Sequence, residues 1–107
     1  MYSKLPVAQA RNDYTTTAAS TTAYIVLNSS VSFSAEFIEF FDSSGAIMQL
    51  AYGPSGDEQD FPFYILPGGN NEIIGCPIDK GMRLSLKSID TAEVTSGQVA
   101  MNFYRKS

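Results

Sequence analysis

The chain has 107 residues, of which 44% are hydrophobic, and it carries a formal net charge of −4 with no histidine. This length accommodates one domain with a single core, and the acidic balance argues against a nucleic-acid-binding protein, which needs a dense basic face. Without histidine, neither a Ser-His-Asp nor a Cys-His catalytic arrangement is possible within one chain, so we predict no enzyme activity, no metal and no cofactor.

The charged residues are unevenly distributed along the sequence. All charged residues within residues 12–79 are acidic, and this stretch carries −9, whereas residues 1–11 carry +2 and residues 80–107 carry +3. Because unlike charges attract and like charges repel, this distribution favours self-association or docking through the two ends of the chain. The interface residues that we predict are four basic residues of these ends and one tyrosine: Lys4, Arg11, Tyr14, Arg105 and Lys106.

The first 22 residues are predicted to form an N-terminal arm, and residues 23–107 a β-sandwich domain. Residues 14–22 are a low-complexity tract of threonine, serine and alanine after one tyrosine. Such a tract has little apolar area to offset the ordering of its backbone, which costs about 1–2 kcal/mol per residue. Residues 1–13 are predicted to be extended, and the threonines can pair as an edge strand of this chain or of a neighbouring copy.

From residue 23 onward, short apolar runs alternate with turn residues. The predicted strands cover residues 23–28, 34–41, 47–52, 61–66, 72–76, 83–89 and 98–104. Residues 34–41 also lie on a helical stripe of phenylalanines, but their aromatic content and their length of about eight residues favour a strand. In the last strand, Val99, Met101 and Phe103 alternate with polar or small residues and are predicted to point inward.

Two turn features position neighbouring strands in this prediction. Asp42-Ser43-Ser44-Gly45 is typical of a hairpin, because the glycine can adopt a positive φ, and it predicts that residues 34–41 pair with residues 47–52. Pro62 lacks an amide donor, which predicts that residues 61–66 lie at an edge of a sheet or start irregularly.

These elements predict an all-β fold, an antiparallel β-sandwich of seven to eight strands with an extended N-terminal arm. The turns are rich in glycine, proline, asparagine and serine, and no long amphipathic helix interrupts the strands. Both a jelly-roll and an immunoglobulin-like connectivity agree with this pattern.

One acidic loop is a candidate ligand site. Its carboxylates belong to Asp57, Glu58 and Asp60, and three carboxylates on a loop can hold Ca²⁺ through oxygen ligands. The spacing is not that of an EF-hand, and a solvated loop is the alternative. The aromatic residues that flank the loop are Tyr52, Phe61, Phe63 and Tyr64. They can bind a glycan if exposed, or fill the core.

The single cysteine and the hydropathy pattern indicate the compartment. Cys76 lies in the apolar residues 73–78 and is predicted to be a buried thiol. One cysteine forms no intramolecular disulfide, which favours a reducing compartment. No apolar run approaches the length of about 18 residues that spans a membrane, and no signal peptide is predicted at the start.

Four segments, taken in chain order, carry a resemblance to a known family. They are Phe40-Phe41-Asp42-Ser43-Ser44-Gly45, then Leu66-Pro67-Gly68-Gly69-Asn70, then residues 78–87, and the final strand within residues 97–104. Over residues 23–104, this succession of a DSSG turn, a PGG turn, a KGxRLS strand start and an NFY strand resembles small virion proteins of tailed bacteriophages.

The resemblance implies a non-enzymatic structural protein of a bacteriophage particle that decorates or cements the capsid. The implied partners are further copies of the chain, as a homo-oligomer, and other virion proteins such as the major capsid protein. The implied location is the virion, and the host cytoplasm during assembly. A tail or head–tail adaptor component, and a glycan-binding receptor module, are the alternatives; neither nucleic acid nor a membrane is an expected partner.

Overall fold

The computed structural model describes residues 4–6, 12–15, 21–68, 73–90 and 97–106. These ranges contain nine strands and no helix, so the prediction of an all-β fold is confirmed. The strands are β1 (Lys4–Pro6), β2 (Asn12–Thr15), β3 (Ile25–Asn28), β4 (Ala35–Asp42), β5 (Met48–Tyr52), β6 (Gln59–Ile65), β7 (Ile74–Ile78), β8 (Leu84–Ser88) and β9 (Gln98–Lys106). No helix of the described residues is long and apolar enough to cross a membrane.

The strands form two antiparallel sheets that pack together, which confirms the predicted β-sandwich. In the first sheet, β9 and β4 are central, β7 lies at one edge, and β1 and β2 pair with β9 along the other edge. The second sheet has the order β3-β8-β5-β6. Because β1 and β2 share one edge, the nine segments form eight rows.

The core lies between the two sheets and contains the inward side chains of both. As predicted, Val99, Met101 and Phe103 of β9 are fully buried. The ring of Phe103 packs against that of Phe33, with 4.7 Å between their centroids. Cys76 also belongs to this core, and burial raises the pKa of its thiol to about 12, so the thiol stays protonated and is a poor nucleophile.

The predicted hairpin at residues 42–45 is wrong, because β4 belongs to the first sheet and β5 to the second. The Asp42 carboxylate accepts hydrogen bonds from the Ser44 amide at 2.8 Å and the Ser44 hydroxyl at 2.6 Å, and Gly45 has a φ of 81°. This chemistry reverses the chain locally and does not determine which strand is the partner. The Ser43 amide bonds instead to Gln98, so the turn carries the chain from one sheet to the other.

Strand β6 lies at an edge of the second sheet, as predicted from Pro62. Its ladder with β5 is interrupted between Gln49 and Ala51. The buried Gln49 amide nitrogen lies 2.9 Å from the Phe61 carbonyl and 3.1 Å from the Phe63 carbonyl. A polar side chain thus supplies the hydrogen bonds that the interrupted ladder leaves unmade.

Two segments of the predicted arm pair with β9 of the same chain. Pro6 is opposite Tyr104 in β1, and Asn12 is opposite Met101 in β2. The register of β1 with β9 therefore differs from that of β2 with β9. Residues 16–20 of the threonine tract lie outside the described residues.

Candidate functional site

One end of the sandwich gathers most of the candidate residues. The antiparallel registers bring the loops of residues 29–34, 53–58 and 79–83 to the same end as the start of β1 and the end of β9. We term this the loop end. The opposite end, termed the corner end, contains the turn of residues 42–45 with residues 66–68 and 97–98 beside it.

The loop end contains an open depression of about 520 Å³. Its lining comes from the end of β5, the residues after it, and the turn that leads into β8: Tyr52, Gly53, Pro54, Asp79, Gly81, Met82 and Arg83. Three of these side chains are largely apolar, and two are charged. The depression therefore offers an apolar surface with a small number of polar groups, which is the usual make-up of a binding pocket.

Arg83 ties the two sides of this depression together. Its guanidinium donates to the Gly53 carbonyl at 3.2 Å and lies 3.5 Å from a carboxylate oxygen of Glu58. The Gly53 amide in turn donates to the Arg83 carbonyl at 3.1 Å. Gly53 has a φ of 109°, and a Cβ there would lie 3.3 Å from the Asp57 carbonyl, so the position favours glycine.

The Glu58 carboxylate is held by backbone donors as well as by the arginine. The Gly56 amide donates to it at 2.8 Å. Hydrogen bonds from the amides of Glu58 itself and of Gly56, together with the charge of Arg83, lower the pKa of the Glu58 carboxyl below its usual value. Glu58 therefore stays ionised and is engaged within the loop.

The structure separates the three carboxylates of the predicted acidic loop. Glu58 pairs with Arg83, whereas Asp60 accepts a 2.6 Å hydrogen bond from the Tyr24 hydroxyl. Asp57 is exposed, and its amide donates to the Pro54 carbonyl. Within the described ranges, no three histidine, cysteine, aspartate or glutamate side chains come together as a metal site would require.

The bond between Tyr24 and Asp60 crosses the outer face of the second sheet. Tyr24 precedes β3 at one edge, and Asp60 belongs to β6 at the other. Between them Ala51 and Ser85 occupy the two central strands and are fully buried. The Lys87 ammonium lies 4.7 Å from the centroid of the Tyr24 ring, and the bond to Asp60 raises the pKa of the tyrosine.

Three of the five predicted interface residues come together at the loop end. Lys4 is the register partner of Lys106, and Arg105 is opposite Leu5. Of the other two residues, Tyr14 is opposite Val99, closer to the corner end, and Arg11 lies outside the described residues.

A further polar cluster lies on the outer face of the first sheet. Glu39 of β4 accepts hydrogen bonds from the Asn102 amide at 3.0 Å and the Tyr104 hydroxyl at 3.3 Å. Burial raises the pKa of Tyr104, and the charge of Glu39 and its hydrogen bond with the tyrosine raise it further. The cluster links β4 to β9 across the sheet, which gives it a structural role.

Comparison with known protein families, with curated proteins and with solved structures finds no match to this chain. The function is therefore argued from the fold and from the loop end. Sequence reasoning missed the residues that line the depression, above all Asp79, Met82 and Arg83. The available signal was the first pair of basic residues after the acidic middle of the chain, Lys80 and Arg83. Of these, Arg83 forms an ion pair with Glu58 of the acidic loop.

Proposed function

We propose that this chain is a non-enzymatic structural protein of a bacteriophage particle that binds further copies of itself and neighbouring virion proteins, as a capsid decoration or cement protein. We also infer that its sandwich is a jelly roll. The proposal is carried by the order of the strands and supported by the arm and the basic residues at the loop end.

The strand order is nested. The antiparallel pairs β2–β9, β3–β8, β4–β7 and β5–β6 form one long ribbon. Pairing β4 with β9 and β5 with β8 rolls that ribbon into two sheets of four rows. In the ribbon pairs, only β5 and β6 are consecutive in the chain, whereas an immunoglobulin-like sandwich has several pairs of consecutive strands side by side. Eight-stranded jelly rolls occur in viral capsid and lectin domains.

The arm provides a means of association. β1 and β2 cover an edge of β9 with three and four residues, and short edge segments of this kind can be exchanged between identical copies. The register places the basic residues Lys4, Arg105 and Lys106 at the loop end of that edge. They favour an acidic neighbour, and a chain with a net charge of −4 is itself such a neighbour.

Fold alone does not determine function, and the lectin alternative uses the same architecture. A glycan site built on the loop aromatics receives less support. Phe61 is buried, and Tyr52 and Phe63 are partly buried against the core, which leaves Tyr64 as the exposed ring of the four, at 56%. A tail or head–tail adaptor role would use the same contacts and differs only in position within the particle.

The test is incorporation into particles. The chain, with a peptide tag, is expressed in cells that produce the phage whose genome encodes it, and purified particles are analysed for the tagged chain and labelled for electron microscopy. We expect labelling over the capsid. Labelling confined to the tail or the head–tail junction would support the adaptor alternative, and absence from the particles would contradict the proposal.

A second measurement addresses arm exchange. The mass of the full chain and of a variant lacking residues 1–22 is measured by light scattering, with circular dichroism to verify that the variant stays folded. We expect the folded variant to lose oligomeric mass and particle incorporation. Unchanged mass and incorporation in the folded variant would contradict exchange through the arm.

A further inference from the structure

We infer that the Tyr24 side chain is a latch across the outer face of the second sheet, which holds the edge strand β3 in place and ends the exchangeable arm before Tyr24. The arm boundary rests on the proposed arm exchange, whereas the latch rests on contacts within one copy. The bond between Tyr24 and Asp60, which are 36 positions apart in the sequence, thereby gains a role.

Tyr24 stands between the arm and the body of the sandwich. It lies just after the threonine-rich tract and directly before β3. Because β2 belongs to the first sheet and β3 to the second, the chain between them passes from one sheet to the other. Residues 21–23 are exposed, whereas Tyr24 and Ile25 are half-buried. Contact with the body of the second sheet therefore begins at Tyr24.

Strand β3 is weakly held by its backbone. It has four residues, lies at the edge of the sheet, and its register with β8 shifts between Val26 and Asn28. None of its side chains is fully buried, and Val26 is 51% exposed. An edge strand with so little buried surface opens locally more easily than a central strand. A side-chain contact at its start therefore contributes a large part of what keeps it closed.

Two contacts hold the Tyr24 ring over the sheet. Its hydroxyl donates to Asp60 Oδ1 at 2.6 Å, and the Lys87 ammonium lies 4.7 Å from the ring centroid. A hydrogen bond to an ionised acceptor is stronger than one between neutral groups, and a cation over an aromatic face adds a further attraction. Asp60 belongs to β6 and Lys87 to β8, so the contacts tie the start of β3 to two other strands.

The residues beneath the latch show what it covers. Register partners of antiparallel strands share a face, and one outer row consists of Val26, Ser85, Ala51 and Asp60. The two end members of this row are exposed, whereas Ser85 and Ala51 are fully buried. Because the bond from Tyr24 to Asp60 spans the two central strands, we attribute this burial to the tyrosine side chain.

The Ser85 hydroxyl opposes the closed latch. Its Oγ atom is buried and has no hydrogen-bond partner among the residues that the structure describes. A buried hydroxyl without a partner is unfavourable, and opening of the Tyr24 side chain would let water reach it. The bond to Asp60 thus favours the closed latch and Ser85 favours the open one, so substitutions at the two sites should have opposite effects.

Amide hydrogen exchange of the full chain, followed by NMR, measures the opening of β3. We expect Tyr24→Phe to lower the protection of the β3 amides about tenfold and Ser85→Ala to raise it about threefold. Protection in β4 and β9 should not change, which separates local opening from a loss of global stability. Unchanged β3 protection in Tyr24→Phe, or no rise in Ser85→Ala, would overturn the latch.

Tyr104→Phe is the matched control. It also removes a tyrosine hydroxyl that donates to a carboxylate, that of Glu39 at 3.3 Å, but on the first sheet. We expect it to leave β3 protection unchanged, and a loss equal to that of Tyr24→Phe would overturn the latch. Asp60→Ala should match Tyr24→Phe, and the double variant should lose no more than either one. Additive losses would mean that the two side chains act independently, against the latch.

Subunit exchange tests the boundary of the arm. Isotope-labelled and unlabelled copies are mixed, and native mass spectrometry follows the appearance of mixed oligomers. If β3 stays with its own copy, arm exchange leaves the bond to Asp60 intact, so Tyr24→Phe should change the exchange rate less than about twofold. An acceleration equal to the loss of β3 protection would show that β3 leaves with the arm, and the boundary would be wrong.

Failure of the proposed function gives a different result. A chain that forms no oligomer would contradict the proposed self-association and the arm boundary with it. If β3 protection in that chain still falls in Tyr24→Phe and rises in Ser85→Ala, the latch stands. Mixed oligomers with unchanged β3 protection in Tyr24→Phe would overturn the latch and leave the proposed self-association standing.

Discussion

The two ends of the sandwich use their polar groups in different ways. At the corner end, the Asp42 carbonyl accepts from the Gly68 amide at 2.8 Å, and three hydrogen bonds join Ser43 to Gln98. At the loop end, the ion pair of Arg83 and Glu58 borders an open depression. The corner end connects the two sheets, whereas the loop end leaves apolar surface and charge available to a partner. Substitutions should therefore affect stability mainly at the corner end and binding mainly at the loop end.

The largest expected effect is that of Gly97→Ala at the corner end. A Cβ at this position would lie 2.5 Å from the Ser44 Cα and 2.7 Å from its Cβ, and Gly97 has a φ of 129°. Overpacking and a strained backbone together should lower the free energy of unfolding by about 3 kcal/mol. Urea denaturation with an unchanged slope measures this loss.

The matched control is Gly56→Ala at the loop end. Gly56 has a φ of 90° and no atom within 4 Å of an added Cβ, so only backbone strain opposes the substitution. We expect a loss of about 1 kcal/mol. Equal losses at the two positions would show that the close approach of Gly97 to Ser44 does not distinguish the two ends.

A smaller effect, again at the corner end, is the pH dependence of stability that Asp42 contributes. Burial raises the pKa of this carboxyl in spite of its hydrogen bonds from Ser44, and the charge of Asp90 raises it further. The folded protein therefore binds this proton more tightly than the unfolded chain, whose value is about 3.9. The contribution of Asp42 to stability is greatest below that value and is lost as the pH rises through the folded pKa.

Asp42→Asn isolates this contribution, because the amide keeps the oxygen that accepts from Ser44 and does not titrate. We expect the stability of the variant relative to the wild type to increase as the pH rises from about 3.5 to 7, measured by urea denaturation at each pH. A difference that does not change with pH would mean that the Asp42 carboxyl has an ordinary pKa in the folded protein.

The sequence predicted features that depend on local pattern. Alternation in residues 98–104 identified the buried side chains Val99, Met101 and Phe103, since a strand's two faces follow directly from its period of two. Pro62 identified an edge strand, because a missing amide donor is a property of the residue itself.

The sequence did not predict features that depend on which distant strands become neighbours. The turn at Asp42 was assigned to a hairpin, although its partners Gly68 and Gln98 are remote in sequence. The depression was missed for the same reason: Gly53 and Arg83 become neighbours only because β5 pairs with β8. The charge distribution predicted separate basic ends and an acidic middle, but the antiparallel registers bring bases and acids to one end.

The smallest expected effect on stability is that of Arg83→Met at the loop end. The Arg83 side chain is 24% exposed, and its ion pair with Glu58 is at 3.5 Å. Such pairs contribute about 0–1 kcal/mol, so we expect a loss of less than about 1 kcal/mol in urea denaturation.

The same substitution should have a clear local effect, because the charge of Arg83 is one of the causes that lower the pKa of Glu58. An NMR titration of the side-chain carboxyl should show this pKa moving up toward its usual value. The substitution also removes the bond from the guanidinium to the Gly53 carbonyl, so the Gly53 amide, which donates to the Arg83 main-chain carbonyl, should exchange faster. Lys87→Met serves as the control, since Lys87 contacts the Tyr24 ring on the outer face of the second sheet. A large loss of stability with no change at Glu58 would make Arg83 a structural element like Gly97, and the contrast between the two ends would no longer hold.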